Sequence, residues 1–129
     1  GHILNMSPPL HNQDMVINKC AYMVSKFGMT YMIHALAQEL KAYNIATHAL
    51  WPVTMIESAA TEFLGLGDRS QWRTADILAH ATLALVERAP ILSSGKAWSD
   101  EEVLQELWGI TDFSDYTCVP GSEPIKIPW

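Results

Sequence analysis

Cysteine is scarce in this chain of 129 residues. Cys20 and Cys118 are the only two, too few for a disulfide framework and in keeping with a reducing compartment. Positive charge is scarce as well. Eight Lys and Arg stand against fourteen Asp and Glu, for a formal net charge of −6, and no basic stripe is interleaved with aromatics. Both facts argue against nucleic acid as a partner, because phosphate binding needs a basic face. No apolar run approaches the ~20 residues of a membrane span, and no signal peptide stands out. The expectation is an intracellular protein, cytoplasmic in the first instance, with an organelle as the alternative. The apolar share of 49% against 17% charged describes a globular chain rather than a disordered one. Its length suits one domain with a core of ordinary size. It opens on Gly1 with an apparent strand directly behind, as a piece of a longer protein or a chain freed from a tag would.

The most informative stretch is Tyr22-Met23-Val24-Ser25-Lys26. Apolar residues recur at intervals of three and four from Ile17 to Lys41 (Ala21, Met29, Met32, Ile33, Leu36, Ala37, Leu40), which predicts a helix over that range. Residues four apart then lie one turn above each other on one face. Tyr22 and Lys26 would present a phenol beside an ammonium, and a neighbouring cation lowers a phenol's pKa. Such a phenol is a usable general acid or base for an alcohol or carbonyl oxygen. The bland alternative is an amphipathic helix with an interfacial tyrosine and a snorkelling lysine, and the spacing alone does not separate the two.

Around that helix the chain alternates. Residues 2–7 read as a short buried strand, stopped by Pro8-Pro9, and residues 8–16 as a loop. Residues 45–51 read as a second strand ended by Pro52. Met55 to Leu64 is a short helix or mobile loop, closed by Gly65-Leu66-Gly67. Thr74 is expected to cap a third helix with Asp76 in its first turn. Its apolar residues Ile77, Leu78, Ala81, Leu83, Leu85 and Val86 wrap widely enough to predict deep burial, and Pro90 stops it. Residues 95–98 suit a third strand. Ser99 and Glu102 form a capping box for a helix through Trp108, ended by Gly109. The tail from Ile110 to Trp129 is expected to lie extended along the surface. Strand, helix, strand, helix, strand implies α/β with a parallel sheet.

The order strand ending in Ser7, Tyr22/Lys26 helix, strand ending in Leu50-Trp51-Pro52, then Ile56-Glu57-Ser58, resembles the second half of the short-chain dehydrogenase/reductase family. Ser7-Pro8-Pro9, Leu50-Trp51-Pro52 and the tail resemble its hydroxysteroid dehydrogenase-like branch in particular. The resemblance covers nearly the whole chain and about the last half of a family domain, so residues 1–129 would be the C-terminal part of one such domain. It implies a partial Rossmann-like parallel sheet of about three strands with flanking helices, lacking the N-terminal dinucleotide-binding half. It also implies that the first strand's usual neighbour is absent, leaving an open edge through which copies could associate as a homo-oligomer.

The resemblance assigns roles. Tyr22 matches the tyrosine that gives or takes the proton, and Lys26 the lysine that lowers its pKa and holds the nicotinamide ribose. Ser7 matches the serine that orients the substrate oxygen, although Pro8 occupies the position where that residue usually falls. Pro52 matches the proline of a Pro-Gly pair whose glycine is here Val53. Ile56 and Ser58 match the segment that binds the nicotinamide amide, and Met55 to Leu66 a substrate lid whose apolar make-up suits a lipophilic alcohol or ketone. The cofactor would be NAD or NADP, provided the N-terminal half is supplied. No glycine-rich turn follows the first strand, and Gly65-Leu66-Gly67 is no substitute because no strand precedes it. The family's Asn-Asn-Ala-Gly segment is missing too. The alternative is a non-catalytic, truncated remnant that persists by oligomerising. His2, His11, His34, His48 and His80 have no metal-ligand spacing, Met23, Met29, Met32 and Met55 read as core filler, and Asp100-Glu101-Glu102 as a solvated helix start.

Overall fold

The computed structural model describes residues 1–9 and 17–127; His11 and the last two residues of the tail lie outside that set. In chain order the elements are β1 (His2–Met6), α1 (Cys20–Glu39), β2 (Ala46–Trp51), β3 (Met55–Ile56), α2 (Ala59–Phe63), β4 (Trp72–Arg73), α3 (Asp76–Val86), β5 (Lys96–Ser99) and α4 (Asp100–Trp108). β1, β2 and β5 form a parallel sheet in the order β1-β2-β5. β3 and β4 form a second parallel pair beside it. The fold is thus α/β, with the small three-stranded sheet that the alternation of elements predicts.

β2 sits in the middle and is buried from Ala46 to Leu50. Its side chains alternate between two faces. Thr47 Oγ1 donates to the Ile33 carbonyl at 2.8 Å, so Thr47, Ala49 and Trp51 look toward α1. Their register partners Ile3 and Asn5 share that face, and the next residue of the series is Ser7. On the other face Leu50 and Trp98 meet Ile77, Ala81, Leu85, Val103 and Leu104, with Leu4 and Met6 packed at the margin. α3 and α4 together close this side, so both faces are covered despite the shortness of the sheet.

Two glycines are required by geometry. Gly109 ends α4 in the left-handed region, at φ 70°, where a side chain is strained. Gly95, at φ 82°, lets β5 approach α1: a Cβ there would stand 2.8 Å from that of Ala37, and its carbonyl meets His34 Nδ1 at 2.8 Å.

Several expectations need correction. α1 begins at Cys20 rather than Ile17, which is exposed. Thr74 does not cap α3; Ala75 holds that position without a side-chain bond, and the Thr74 N–H goes to the Tyr116 carbonyl instead. Leu83 and Val86 remain exposed, because α3 meets the core along one side only. Met32 is exposed and is not core filler. The tail is not merely draped on the surface. Tyr116 is buried within the core cluster, and Thr54 and Arg73 bridge to Lys126 and Thr117.

Candidate functional site

Parallel strands deliver their carboxyl ends to one edge of the sheet, where α/β proteins place their sites. β1 ends at Met6-Ser7 and β2 at Trp51-Pro52 on that edge. α1 lies across it with Tyr22 and Lys26 in its first two turns. Lys26 donates through Nζ to the Met6 carbonyl at 2.8 Å. The same nitrogen stands 5.8 Å from the Tyr22 ring centroid and 5.5 Å from that of Trp51. Tyr22, Lys26, the end of β1 and the end of β2 are therefore one cluster. The bond that joins them is legible in part: gripping a carbonyl suits a long flexible cation, but its partner lies twenty residues back in sequence.

The expected fall in the Tyr22 pKa is not found. Partial burial pushes the phenol above its ordinary value. The physical reason is the placement of the ammonium, which is committed to the Met6 carbonyl and lies over ring faces. Tyr22 is 51% exposed. Its phenol is therefore an available proton donor, not a preformed phenolate.

Ser7 is wholly buried. Its N–H donates to the Leu50 carbonyl at 3.1 Å, while its hydroxyl has no partner among the described residues. A buried hydroxyl left unpaired asks for an explanation, and one is a ligand oxygen. Pro8 beside it is held by Thr30, whose hydroxyl donates to the Pro8 carbonyl at 2.7 Å.

Pro52 ends β2 and turns the chain toward β3. Ile56 lies in the core cluster, so only its backbone could meet a ligand, and its carbonyl already accepts from the Thr61 hydroxyl. Ser58 caps α2: its hydroxyl accepts from the Thr61 N–H, and Thr61 reciprocates. Beyond this turn the apolar tip Phe63, Leu64 and Leu66 is exposed, and Glu57 is paired with Arg69. Two clefts, of about 220 and 520 Å³, lie elsewhere. One runs between α1 and the Pro90–Leu92 turn, and the other beside the tail at Arg73 and Lys126. Among the described residues no cluster of His, Cys, Asp and Glu could hold a metal, and no helix is long and apolar enough to cross a membrane.

Two participants escaped the sequence reading. Trp51 lies under Lys26, a contact that needs the β2 register to be seen. Asp100, expected in solvent, is wholly buried. Its position directly after a strand was the available signal, since a strand end in the middle of a core does not face water.

No family model matches the chain. Relatives do. Hydroxysteroid dehydrogenase-like protein 2 of Rattus norvegicus is 42% identical over 123 residues, which is 94% of this chain and 23% of the relative. A short-chain dehydrogenase from Mycobacterium thermoresistibile superposes with a TM-score of 0.83 at 36% identity, over 99% of this chain and 46% of that one. A Xanthomonas campestris structure assigned to a dehydrogenase gives a TM-score of 0.86 at 31% identity, over 98% and 46%. The chain thus spans about a quarter of the curated relative and just under half of each solved domain. With sequence and backbone both aligned over nearly its whole length, the chain matches a C-terminal portion of the short-chain dehydrogenase/reductase fold.

Proposed function

We propose that these residues are the catalytic C-terminal part of a single NAD(P)-dependent oxidoreductase domain that interconverts an alcohol and a carbonyl on a lipophilic small molecule, and that alone they do not turn substrate over. The observation that carries this reading is the cluster of Tyr22, Lys26 and Trp51 at the carboxyl ends of β1 and β2, with Lys26 Nζ on the Met6 carbonyl. In it Tyr22 gives a proton to the carbonyl oxygen in reduction and takes it back in oxidation. Lys26 keeps further N–H donors after binding Met6, enough to hold a ribose hydroxyl. The Ser7 hydroxyl, without a partner among the described residues, orients the substrate oxygen and stabilises charge that develops there. Pro52 and the backbone of Ile56 and Ser58 border the nicotinamide, and the apolar tip of Phe63, Leu64 and Leu66 covers the substrate.

A nicotinamide cofactor fits this chain at one end only. Ser7 and Lys26 offer unspent hydrogen-bonding capacity on the nicotinamide side, whereas the 129 residues contain no glycine-rich turn for a pyrophosphate. Bound there, the cofactor supplies or takes up the hydride. The test is a titration of the isotope-labelled chain with nicotinamide mononucleotide, the half of the cofactor that these residues could hold. Shifts should gather at Tyr22, Trp51 and Ser58, weaken in Lys26→Met and persist in Met32→Ala. Their absence, or a scatter over α4, sinks the reading.

A second reading is association between copies, and two surfaces favour it. Gly1 and Ser7 bond to β2 through their backbones. With a period of two, the backbone groups of His2 and Leu4 then face an edge that no described strand covers. On α1, Val24, Tyr31 and Met32 are exposed.

A further inference from the structure

The sharpest unexplained feature outside the Tyr22 cluster is a buried carboxylate. Asp100 is the first residue of α4 and is wholly buried. α4 does not need it as a cap: Ser99 accepts from the Glu102 N–H at 3.2 Å, and Glu102 returns a bond to the Ser99 N–H at 2.9 Å. Asp100 instead accepts, through Oδ1, from the Glu101 N–H at 2.8 Å and from the Val53 N–H at 2.9 Å. Its other oxygen is buried without a partner among the described residues. Burying a carboxylate costs free energy, so an acceptor retained there must serve a geometry that a cheaper residue would not hold.

That geometry is the turn after β2. Val53 directly follows Pro52 and precedes Ile56 and Ser58. Its N–H is taken by Asp100, and its carbonyl accepts from the Ile127 N–H at 2.7 Å. A turn gripped on both sides of one residue has little freedom left. The charges that face Asp100 are Arg73 of β4 and Glu101 of its own helix. Arg73 pairs with Glu101 at 2.7 Å, and Lys126 of the tail reaches the other Glu101 oxygen at 3.4 Å. A knot of charge, buried except at Lys126, thus links α4, β4 and the tail around the carboxylate that holds Val53.

We infer that Asp100 is a positioning residue for the turn 52–58: by accepting the Val53 N–H it fixes where Pro52, Ile56 and Ser58 stand relative to Tyr22 and Lys26. The functional meaning of that turn rests on the proposed cofactor reading; the hold of Asp100 on it does not. Asn at this position keeps an oxygen for Val53, and Ala removes it.

The experiment measures amide exchange, and the Val53 amide proton shift against pH, in the 129-residue chain. Asp100→Ala should speed exchange of the amides from Val53 to Ser58 by about tenfold, leave Ala49 and Leu50 unchanged, and be rescued by Asp100→Asn. In the wild type the Val53 and Glu101 amide protons should move together as the carboxyl titrates. In Asp100→Asn that movement should vanish, a readout available even if Asp100→Ala does not fold. Ser99→Ala, which weakens the cap alone, should leave the turn as it is. A Val53 proton that ignores the titration overturns the proposal. So does exchange that rises equally in β2 and the turn, or a turn loosened as much by Ser99→Ala. A wild-type chain that shows the expected pattern but gives no shifts with nicotinamide mononucleotide sinks the cofactor reading and leaves the role of Asp100 standing.

Discussion

At the scale of single residues, the chemistry depends on which partners each polar atom has already found. Lys26 is spent in part on the Met6 carbonyl, and that contact places its charge over the Tyr22 ring rather than at the phenol oxygen. Burial then decides the phenol's pKa, which lies above its usual value. Lys26→Met should therefore leave the ultraviolet titration of Tyr22 nearly where it is, above the ordinary tyrosine range. A marked rise in that variant would restore the lysine as the controlling charge. Ser7 offers a complementary test. Because its hydroxyl is buried without a partner among the described residues, Ser7→Ala should cost nothing or add up to about 1 kcal/mol of stability by urea unfolding. A loss larger than about 1 kcal/mol would mean that the hydroxyl has a partner and is not held in reserve for substrate.

At the scale of elements, β1 is tied to the rest by a histidine relay. His2 Nδ1 meets His48 Nε2 at 3.1 Å, and His2 Nε2 meets the Arg88 carbonyl at 3.1 Å. Burial, followed by the nearby His2, lowers the His48 pKa to about 4. The unfolded chain, with His48 near the ordinary histidine value of about 6.5, binds more protons between those values, so stability rises with pH across that window. The contribution is complete above the unfolded value and is lost as pH falls through about 4. The full shift is worth on the order of 3 kcal/mol. Urea unfolding between neutral and mildly acidic pH should show this slope, and His48→Gln should flatten it. Asp100, whose carboxyl burial pushes up, acts in the opposite sense at the acid end, so the difference between wild type and variant is the quantity to read. Gly95→Ala is a second test at this scale. It meets a forbidden φ and the Ala37 Cβ together, which should cost on the order of 1–3 kcal/mol in unfolding free energy. These elements also mark how far the sequence could be read. Period and punctuation located β1, α1, β2 and the Ser99/Glu102 box, because each is decided by neighbours a few residues away. The pair β3–β4, the Asp100–Val53 bond and the buried Tyr116 join segments that are not neighbours in sequence, and no local pattern announces them. Tyr22 and Lys26 were found because they share a helix face. Ser58 was named by the resemblance, and what no local pattern announced is that its hydroxyl is engaged in capping α2.

At the scale of the whole molecule, the question is what covers the open side. β1 is paired with β2 alone among the described strands, and its outward backbone groups are finished by Lys26 only at Met6. An edge of this kind is costly to leave in water and pairs readily with another strand. Beside it α1 shows Val24, Tyr31 and Met32, at 66%, 64% and 46% exposure, enough apolar surface to reward association. A second copy offers both features at once, and an isologous contact would cover the edge and the helix together. The chain studied by itself should therefore sediment as a dimer or larger, with a concentration-dependent distribution. Replacing Val24 and Met32 by lysine should shift it toward monomer while leaving the far-ultraviolet circular dichroism intact, since neither side chain is buried. A monomer at every concentration would dismiss association as the answer to the open edge. Such a monomer would still leave the dehydrogenase reading testable, because Tyr22, Lys26, Met6 and Trp51 meet within one copy.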